Sequence, residues 1–410
     1  MAGLVLIALL LRLLGVVFVD CHTDAPTTLF HWTGSAGEYP EVSYQIIAGH
    51  GFCFQVFDGQ PMPSAYLAPG YAYLLAGAFW LLGDGLLCFI SLQIFHVILG
   101  TIICWIVFRL GELAFSRTVG LIAGYICAFY PTSVFMSTQI HPAPIYIFLN
   151  LLVILLIMIA KRDRWRALII SAGLLQGLLI LFRPQALVYT PFLALFLAAR
   201  LKTGTRIVAP VLFIIVAAAV VLPWTARNYL VFGRFVPVAS SFGFNLWRGQ
   251  NDLPLPGQHS DLVSRGVHPS LDAIPRDKNY ELARDDIYRR EAYAYIKADP
   301  ARALVNAARK VAMFWTYNPY HAKGRQPLVW EPWLIVAPFF VIGLIYSVIR
   351  NRTAWILYVY LIMHTLFCAV FLCLPRYRMF IEPIIFIFAA AGFFLVFRKI
   401  SLWGLFGERV

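Results

Sequence analysis

Apolar runs, most of them about 18 residues or more, recur along this chain, and a run of that length can span the roughly 30 Å hydrocarbon core of a bilayer as a helix. The runs fall at 2–19, 66–83, 86–108, 118–136, 142–160, 166–182, 185–199, 206–223, 332–349, 353–374 and 379–397. In lipid, backbone amides must be paired within the segment, so such runs fold as helices. Composition agrees: 60% of the 410 residues are hydrophobic and 13% charged, against roughly 25% charged in soluble domains. This excludes a cytosolic enzyme, a disulfide-rich secreted domain, a disordered chain and a nucleic-acid binder built on a basic fold. The expected fold class is an all-α polytopic membrane protein with about 10–12 membrane helices, an outer loop with interfacial helices after the first span, and a larger outer helical loop.

Two stretches are polar, 20–65 and 224–330. They divide the chain into a transmembrane core at 1–223 that includes the loop 20–65, an outer region at 224–330, and C-terminal membrane helices at 331–410. The first run carries Arg12, and no small-residue cleavage motif follows it, so it reads as a retained span. No internal repeat or low-complexity segment is visible.

Short basic connectors set the orientation. Lys161–Arg166, Arg200–Arg206, Arg350–Arg352 and Arg398–Lys399 belong on the cytoplasmic side. Counting from them puts 224–330 and the turn 375–378 outside. The first polar loop also belongs outside if the N-terminus is inside. Seven runs then separate that loop from residue 224, where an even number is required. One run is therefore an incomplete crossing; 66–83, interrupted by Pro69 and Gly70, and 185–199 are the candidates.

The net charge of +13 is mostly this cytoplasmic signal. Between Arg12 and Arg109 there is no Lys or Arg, while Asp20, Asp24, Glu38, Glu41, Asp58 and Asp84 are present. Four arginines lie on the outer side against the rule. Arg183 precedes Pro184, Arg227 follows Pro223 and Trp224, and Arg376 and Arg378 share Pro375-Arg376-Tyr377-Arg378. A guanidinium fork suits phosphate oxygens, so these are candidates for an anionic lipid head group. The ordinary alternative for each is an arginine snorkelling to water. Cys21 and Cys53 share the first outer loop, where an oxidising compartment permits a disulfide, and two unpaired thiols fit equally well. No Cys or His spacing indicates a structural metal.

Several segments taken together resemble a known family. Glu38–Phe52, EYPEVSYQIIAGHGF, and Ser64–Gly83, SAYLAPGYAYLLAGAFWLLG, come first. Pro223–Asn251, PWTARNYLVFGRFVPVASSFGFNLWRGQN, Arg290–Trp315, REAYAYIKADPARALVNAARKVAMFW, and Pro375–Pro383, PRYRMFIEP, follow in order. The chain resembles the polyprenyl-phosphate-sugar-dependent glycosyltransferases of the GT-C superfamily. The branch is similar to glycosyltransferase family 39, relatives of protein mannosyltransferases and of the lipid A aminoarabinose transferase. Two positions depart from the family pattern. The aspartate before the tyrosine-bearing helix is absent, Gly37-Glu38-Tyr39 standing there. The glutamate expected after the span at 118–136 is replaced by Gln139-Ile140-His141-Pro142.

The resemblance implies transfer of one sugar from a polyprenyl phosphate carrier to a hydroxyl of a lipid, glycan or protein, with inversion and a carboxylate base. It implies a bacterial inner-membrane protein with its site on the periplasmic face. Its partners would be the lipid-linked donor, the acceptor and membrane lipids, with no nucleic acid. No cofactor is required, and a divalent metal is compatible with the pattern but not indicated by it. Glu38 is the candidate base and Glu41, one turn on, the second choice; Asp20 and Asp24 of the same loop come next. The ordinary reading of Glu38 and Glu41 is favourable charge in a first helical turn. Arg183, Arg227, Arg376 and Arg378 are candidates for the lipid phosphate. Tyr39, His50, Asn245, Trp247 and Asn251 are candidates for substrate contact, since amides bond hydroxyls and aromatic rings cover sugar faces. Two rival functions are an oligosaccharide polymerase or ligase with a pyrophosphate-linked donor, and a transporter of lipid-linked sugars. A transporter should show paired broken helices in related halves, and no such repeat is seen. In the outer region, Asp299-Pro300 marks a helix start. Leu304, Val305, Ala308, Val311, Ala312 and Trp315 form an apolar face behind it.

Overall fold

The computed structural model describes residues 1–22, 38–160, 165–201, 204–250, 271, 273–318, 326–350 and 354–406. The chain is helical almost throughout. In order the elements are α1 (Ala2–His22), α2 (Tyr39–Ile47), β1 (Cys53–Phe57), β2 (Gln60–Pro63), α3 (Pro69–Leu82), α4 (Leu86–Ala114), α5 (Arg117–Phe129), α6 (Pro131–Thr138), α7 (Pro142–Ile159), α8 (Trp165–Phe182) and α9 (Ala186–Arg200). They continue with α10 (Val208–Phe232), α11 (Phe242–Gly249), α12 (Tyr280–Ala298), α13 (Pro300–Trp315), α14 (Pro327–Arg350), α15 (Trp355–Val370), α16 (Arg376–Met379) and α17 (Glu382–Phe406).

Among the described residues five helices, α4, α7, α8, α10 and α14, are long and apolar enough to cross a membrane. The run at 118–136 is a bent pair: α5 and α6 meet at 57°, where Pro131 opens the second helix and cannot donate to the first. Both candidates for the incomplete crossing are short. α3 has 14 residues and α9 has 15 with Pro191 inside, each below the roughly 20 a straight crossing uses.

α17 forms the centre. Ile384, Ile385, Phe386, Ile387, Phe388, Ala389, Ala390 and Ala391 are all buried, so this helix is enclosed on every side, as a helix apolar all round must be. α5 and α14 pack against it. α14 approaches closely because Gly343 meets the Phe388 carbonyl and Gly392 meets the Phe339 carbonyl with no room for a Cβ, the small-residue contact that lets membrane helices touch backbone to backbone. α10 and α14 are peripheral and leave Ile214, Ile215, Leu222, Ile335, Ile345 and Val348 exposed, the side chains that lipid would cover.

α1 packs on α4, α5 and α6, and its Arg12 is buried. The guanidinium donates to Ser137 Oγ at 3.2 Å, the Ala8 carbonyl at 3.1 Å, Cys104 Sγ at 3.2 Å and the Cys127 carbonyl at 3.4 Å. An intramembrane cation is tolerated only when so surrounded.

The polar regions differ from the sequence reading in one respect. The first loop holds, after α2, a β-hairpin as well as helix. Cys53–Phe57 and Gln60–Pro63 pair antiparallel around Asp58 (φ 50°) and Gly59 (φ 76°), the left-handed pair that an Asp-Gly turn supplies. In α13, Asp299 caps the helix by accepting from Arg302 N at 2.9 Å, as expected. It buries Ala303, Lys310 and Phe314 and leaves Leu304 and Val305 of the apolar face exposed. Lys310 anchors the buried side. Its ammonium reaches inward to the carbonyls of Gly249 (2.9 Å), Phe371 (3.1 Å) and Val370 (3.2 Å), tying α13 to the ends of α11 and α15. Burial pushes its pKa down to about 8.

Candidate active site

A cavity of about 1320 Å³ opens where α2, the α8–α9 turn, α11, α12, the end of α15 and α16 converge. Glu38, Tyr39, Glu41, Arg183, Asn245 and Arg376 all line it. Four segments far apart in sequence thus bring six of the predicted residues to one space.

Glu38 stands immediately before α2, and its carboxylate is accessible from the cavity. The surrounding walls still remove enough water to raise its pKa above the usual value, burial being the largest cause. Arg284 and Arg248 oppose that rise, and Glu41 and Glu281 add to it. No ion pair or hydrogen bond to another described side chain ties the carboxylate down. Tyr39 next to it packs edge-on against Tyr71 at 5.2 Å, and burial raises its pKa to about 12, so its hydroxyl stays neutral. α2 is anchored behind both: Ser43 Oγ donates to the Ala72 carbonyl of α3 at 2.9 Å.

Arg183 is placed by the turn between α8 and α9. Its guanidinium lies over the rings of Phe380 (4.3 Å), Tyr146 (5.4 Å) and Tyr377 (5.8 Å) and donates from Nε to Gln185 Oε1 at 3.3 Å. Ring faces hold the cation without neutralising it. Arg376 sits on α16 against Tyr377. Its pKa is depressed by burial first and then by repulsion from Arg183 and Arg248, so three guanidinium groups lie near enough to repel one another.

Among the cavity residues not singled out from sequence are two cations and a tyrosine beside them. Arg248 and Arg284 line it, as does Tyr288. Arg248 lies over Phe244, and Arg284 over Tyr66 at 5.1 Å. Arg248 was legible in NLWRGQN, since Asn245 and Arg248 are three apart and share a helix face. Arg284 sits in a mixed-charge helix whose pattern resembles any solvated surface. His141, one of the departures from the family pattern, also lines the cavity and caps α7 by accepting from Ala143 N at 3.1 Å.

Other candidates go elsewhere. Arg378 is buried and faces away: it donates to the carbonyls of Thr316 (3.0 Å) and Val329 (2.9 Å), approaches Glu382 at 3.8 Å and lies over Trp333. Both Nη atoms are taken by protein carbonyls, and the side chain does not line the cavity that holds Arg183 and Arg376. Arg227 is also a strut. α10 continues through Pro223 to Phe232, so Arg227 lies on a helix, where it donates to the Ser64 carbonyl at 2.7 Å and the Phe52 carbonyl at 3.1 Å. It clamps the hairpin to α10. His50 pairs with Gln45 Oε1 at 2.8 Å on the surface, outside the cavity lining. Trp247 packs against Tyr288 at 4.8 Å and supports the wall. Asn251, Asp24 and the side chains of Asp20 and Cys21 lie outside the described residues; Cys53 donates its thiol hydrogen to the His50 carbonyl at 3.2 Å.

Second-layer contacts fix α11 and α12. Asp285 accepts from Gly243 N and Phe244 N, both at 2.9 Å, capping the first turn of α11 from a neighbouring helix. Glu281 accepts from Ser64 Oγ at 2.9 Å and Ala65 N at 3.1 Å, joining α12 to the segment before α3. Among the described residues no group of three or more His, Cys, Asp or Glu gathers as a metal site.

Residues 66–226 match the family described as dolichyl-phosphate-mannose-protein mannosyltransferase. No curated protein matches the chain in sequence. Among solved structures, the oligosaccharyltransferase of Archaeoglobus fulgidus with a tethered acceptor peptide is similar at 15% identity and a TM-score of 0.60, over 98% of this chain and 50% of that one. Oligosaccharyltransferase AglB from the same organism, in complex with an inhibitory peptide and a dolichol-phosphate, is similar at 15% identity and a TM-score of 0.59, over 100% and 52%. ArnT from Cupriavidus metallidurans bound to undecaprenyl phosphate has 14% identity and a TM-score of 0.45, over 98% and 78%. The chain spans about half the length of the oligosaccharyltransferases it matches and shares their fold. The GT-C resemblance read from the motifs is borne out by the family match and by that fold.

Proposed function

We propose that this protein is a membrane glycosyltransferase that moves a single sugar from a polyprenyl phosphate carrier to an acceptor hydroxyl. The supporting observation is that Glu38, Arg183 and Arg376 line one cavity, a free carboxylate together with two cations packed on aromatic rings. The match over 66–226 to dolichyl-phosphate-mannose-protein mannosyltransferases and the dolichol-phosphate bound by the archaeal oligosaccharyltransferase support a lipid phosphate as the carrier.

In this reading Glu38 takes the proton of the acceptor hydroxyl. The acceptor oxygen bonds to the anomeric carbon from the face opposite the phosphate, the carbon–oxygen bond to phosphate breaks, and polyprenyl phosphate leaves. Arg183 and Arg376 stabilise the negative charge that gathers on the departing phosphate. Tyr39 and Asn245 orient the sugar and acceptor hydroxyls. Holding both substrates in one cavity contributes to the rate through proximity. The site faces the periplasmic side of a bacterial inner membrane, and no step runs through a metal.

The test uses purified protein in nanodiscs and a panel of polyprenyl phosphate sugars. Glu38→Gln should bind donor yet lose transfer by about 10²- to 10⁴-fold. Full transfer by Glu38→Gln combined with loss in Glu41→Gln would move the base to Glu41. If the wild type neither binds nor consumes any of the panel, the functional reading fails.

A further inference from the structure

Charge in the cavity exceeds what a carrier phosphate needs. Its described lining contains four arginines, Arg183, Arg248, Arg284 and Arg376, and two carboxylates, Glu38 and Glu41. Four positive minus two negative charges leaves an excess of two. A sugar phosphodiester carries one negative charge, so one cation would stay uncompensated with donor bound. Walls of low dielectric make that imbalance costly.

The four arginines divide between two walls. Arg183 and Arg376 come from the α8–α9 turn and α16. Arg248 and Arg284 come from α11 and α12, on the side of Glu38, where both act on its carboxylate. Neither donates a hydrogen bond to any described residue, and the Nε of Arg248 is buried without a partner. Each guanidinium offers about five N–H donors. The rings beside them, Phe244 and Tyr66, hold their planes in place and take none of those donors. Were they only counter-ions for Glu38, an ion pair should join them, and none does. A buried N–H without an acceptor, such as the Nε of Arg248, is costly unless a bound group supplies one.

We propose that Arg248 and Arg284 form a second anion subsite, which receives a carboxylate or phosphate carried by the sugar or by the acceptor. This rests on the glycosyltransferase reading and narrows its substrate class. The protein selects a substrate pair bearing a negative group in addition to the carrier phosphate. Position favours sugar or acceptor over carrier, because the subsite adjoins Glu38, where the acceptor hydroxyl must stand for its proton to be taken.

Binding of defined lipids to the full-length protein in nanodiscs tests this. The first measurement is bare polyprenyl phosphate; if the wild type does not bind it, this inference and the function proposed above fall together. In the sugar arm, polyprenyl phosphate–glucuronic acid is compared with polyprenyl phosphate–glucose. In the acceptor arm, protein saturated with polyprenyl phosphate is titrated with octyl glucoside 6-phosphate and with octyl glucoside. In one arm the anionic ligand should bind about tenfold more tightly than its neutral partner, which corresponds to about 1.4 kcal/mol. That ratio should fall towards one in Arg248→Gln/Arg284→Gln and be largely restored in Arg248→Lys/Arg284→Lys. The responding arm identifies which substrate carries the charge. Bare carrier binding with no discrimination in either arm, or a ratio that survives the double glutamine variant, overturns the subsite and leaves the glycosyltransferase reading standing.

Discussion

Arg376 and Arg378 stand two residues apart on α16, a helix of four residues, yet they do opposite work. Arg376 opens onto the cavity. Arg378 turns into the protein, where its two Nη atoms donate to the Thr316 and Val329 carbonyls and its charge faces Glu382 at 3.8 Å. At roughly 100° per residue, positions i and i+2 on a helix point to opposite sides. Arg183 and Arg227 repeat the contrast on a larger scale, the first lying on rings beside the cavity and the second clamping two carbonyls of the hairpin segment. An outer-face arginine is therefore a site candidate only when its donors remain unfilled.

The contrast can be broken most forcefully at Arg378. Arg378→Ala leaves Glu382 buried without its cation and should cost about 3–5 kcal/mol of stability, read as a large drop in thermal unfolding temperature in detergent. Arg227→Ala should cost less, since that side chain is half-buried. Arg376→Ala should do the reverse, weakening polyprenyl phosphate binding about tenfold or more while the unfolding temperature stays near that of the wild type. If Arg376→Ala unfolds the protein, or Arg378→Ala folds normally and only loses the lipid, the distinction is wrong.

A smaller effect sharpens it through pH. Glu38 must be ionised to act as base, and its pKa is raised, so transfer should be kept at higher pH. It should decline as pH falls through that raised value, above the roughly 4.3 of an ordinary glutamate. Arg284 lowers this pKa; Arg284→Gln should therefore move the acid limb of the kcat/KM profile further up. An unmoved limb would mean that Arg284 does not act on Glu38.

Much of this was legible beforehand. Apolar run length identified the helices, and the Pro300 start of α13 followed from Asp299-Pro300. Glu38, Glu41, Arg183 and Arg376 were legible because local sequence placed each at a helix end or turn, and all four line one cavity. The hairpin at Asp58-Gly59 carried a usable turn signal within a loop read as helical. Arg284 had none, because one arginine in a charged helix differs from its neighbours only in what packs beside it.

By itself the sequence determined that this chain lives in a membrane, where its polar regions lie, and which short list of charges could matter. Hydrophobicity and periodicity are local properties and survive without knowledge of the fold. Which arginines are free was decided only by tertiary structure. Whether a guanidinium is a strut or an anion site depends on the carbonyls, rings and carboxylates around it, and these come from elements tens to hundreds of residues away.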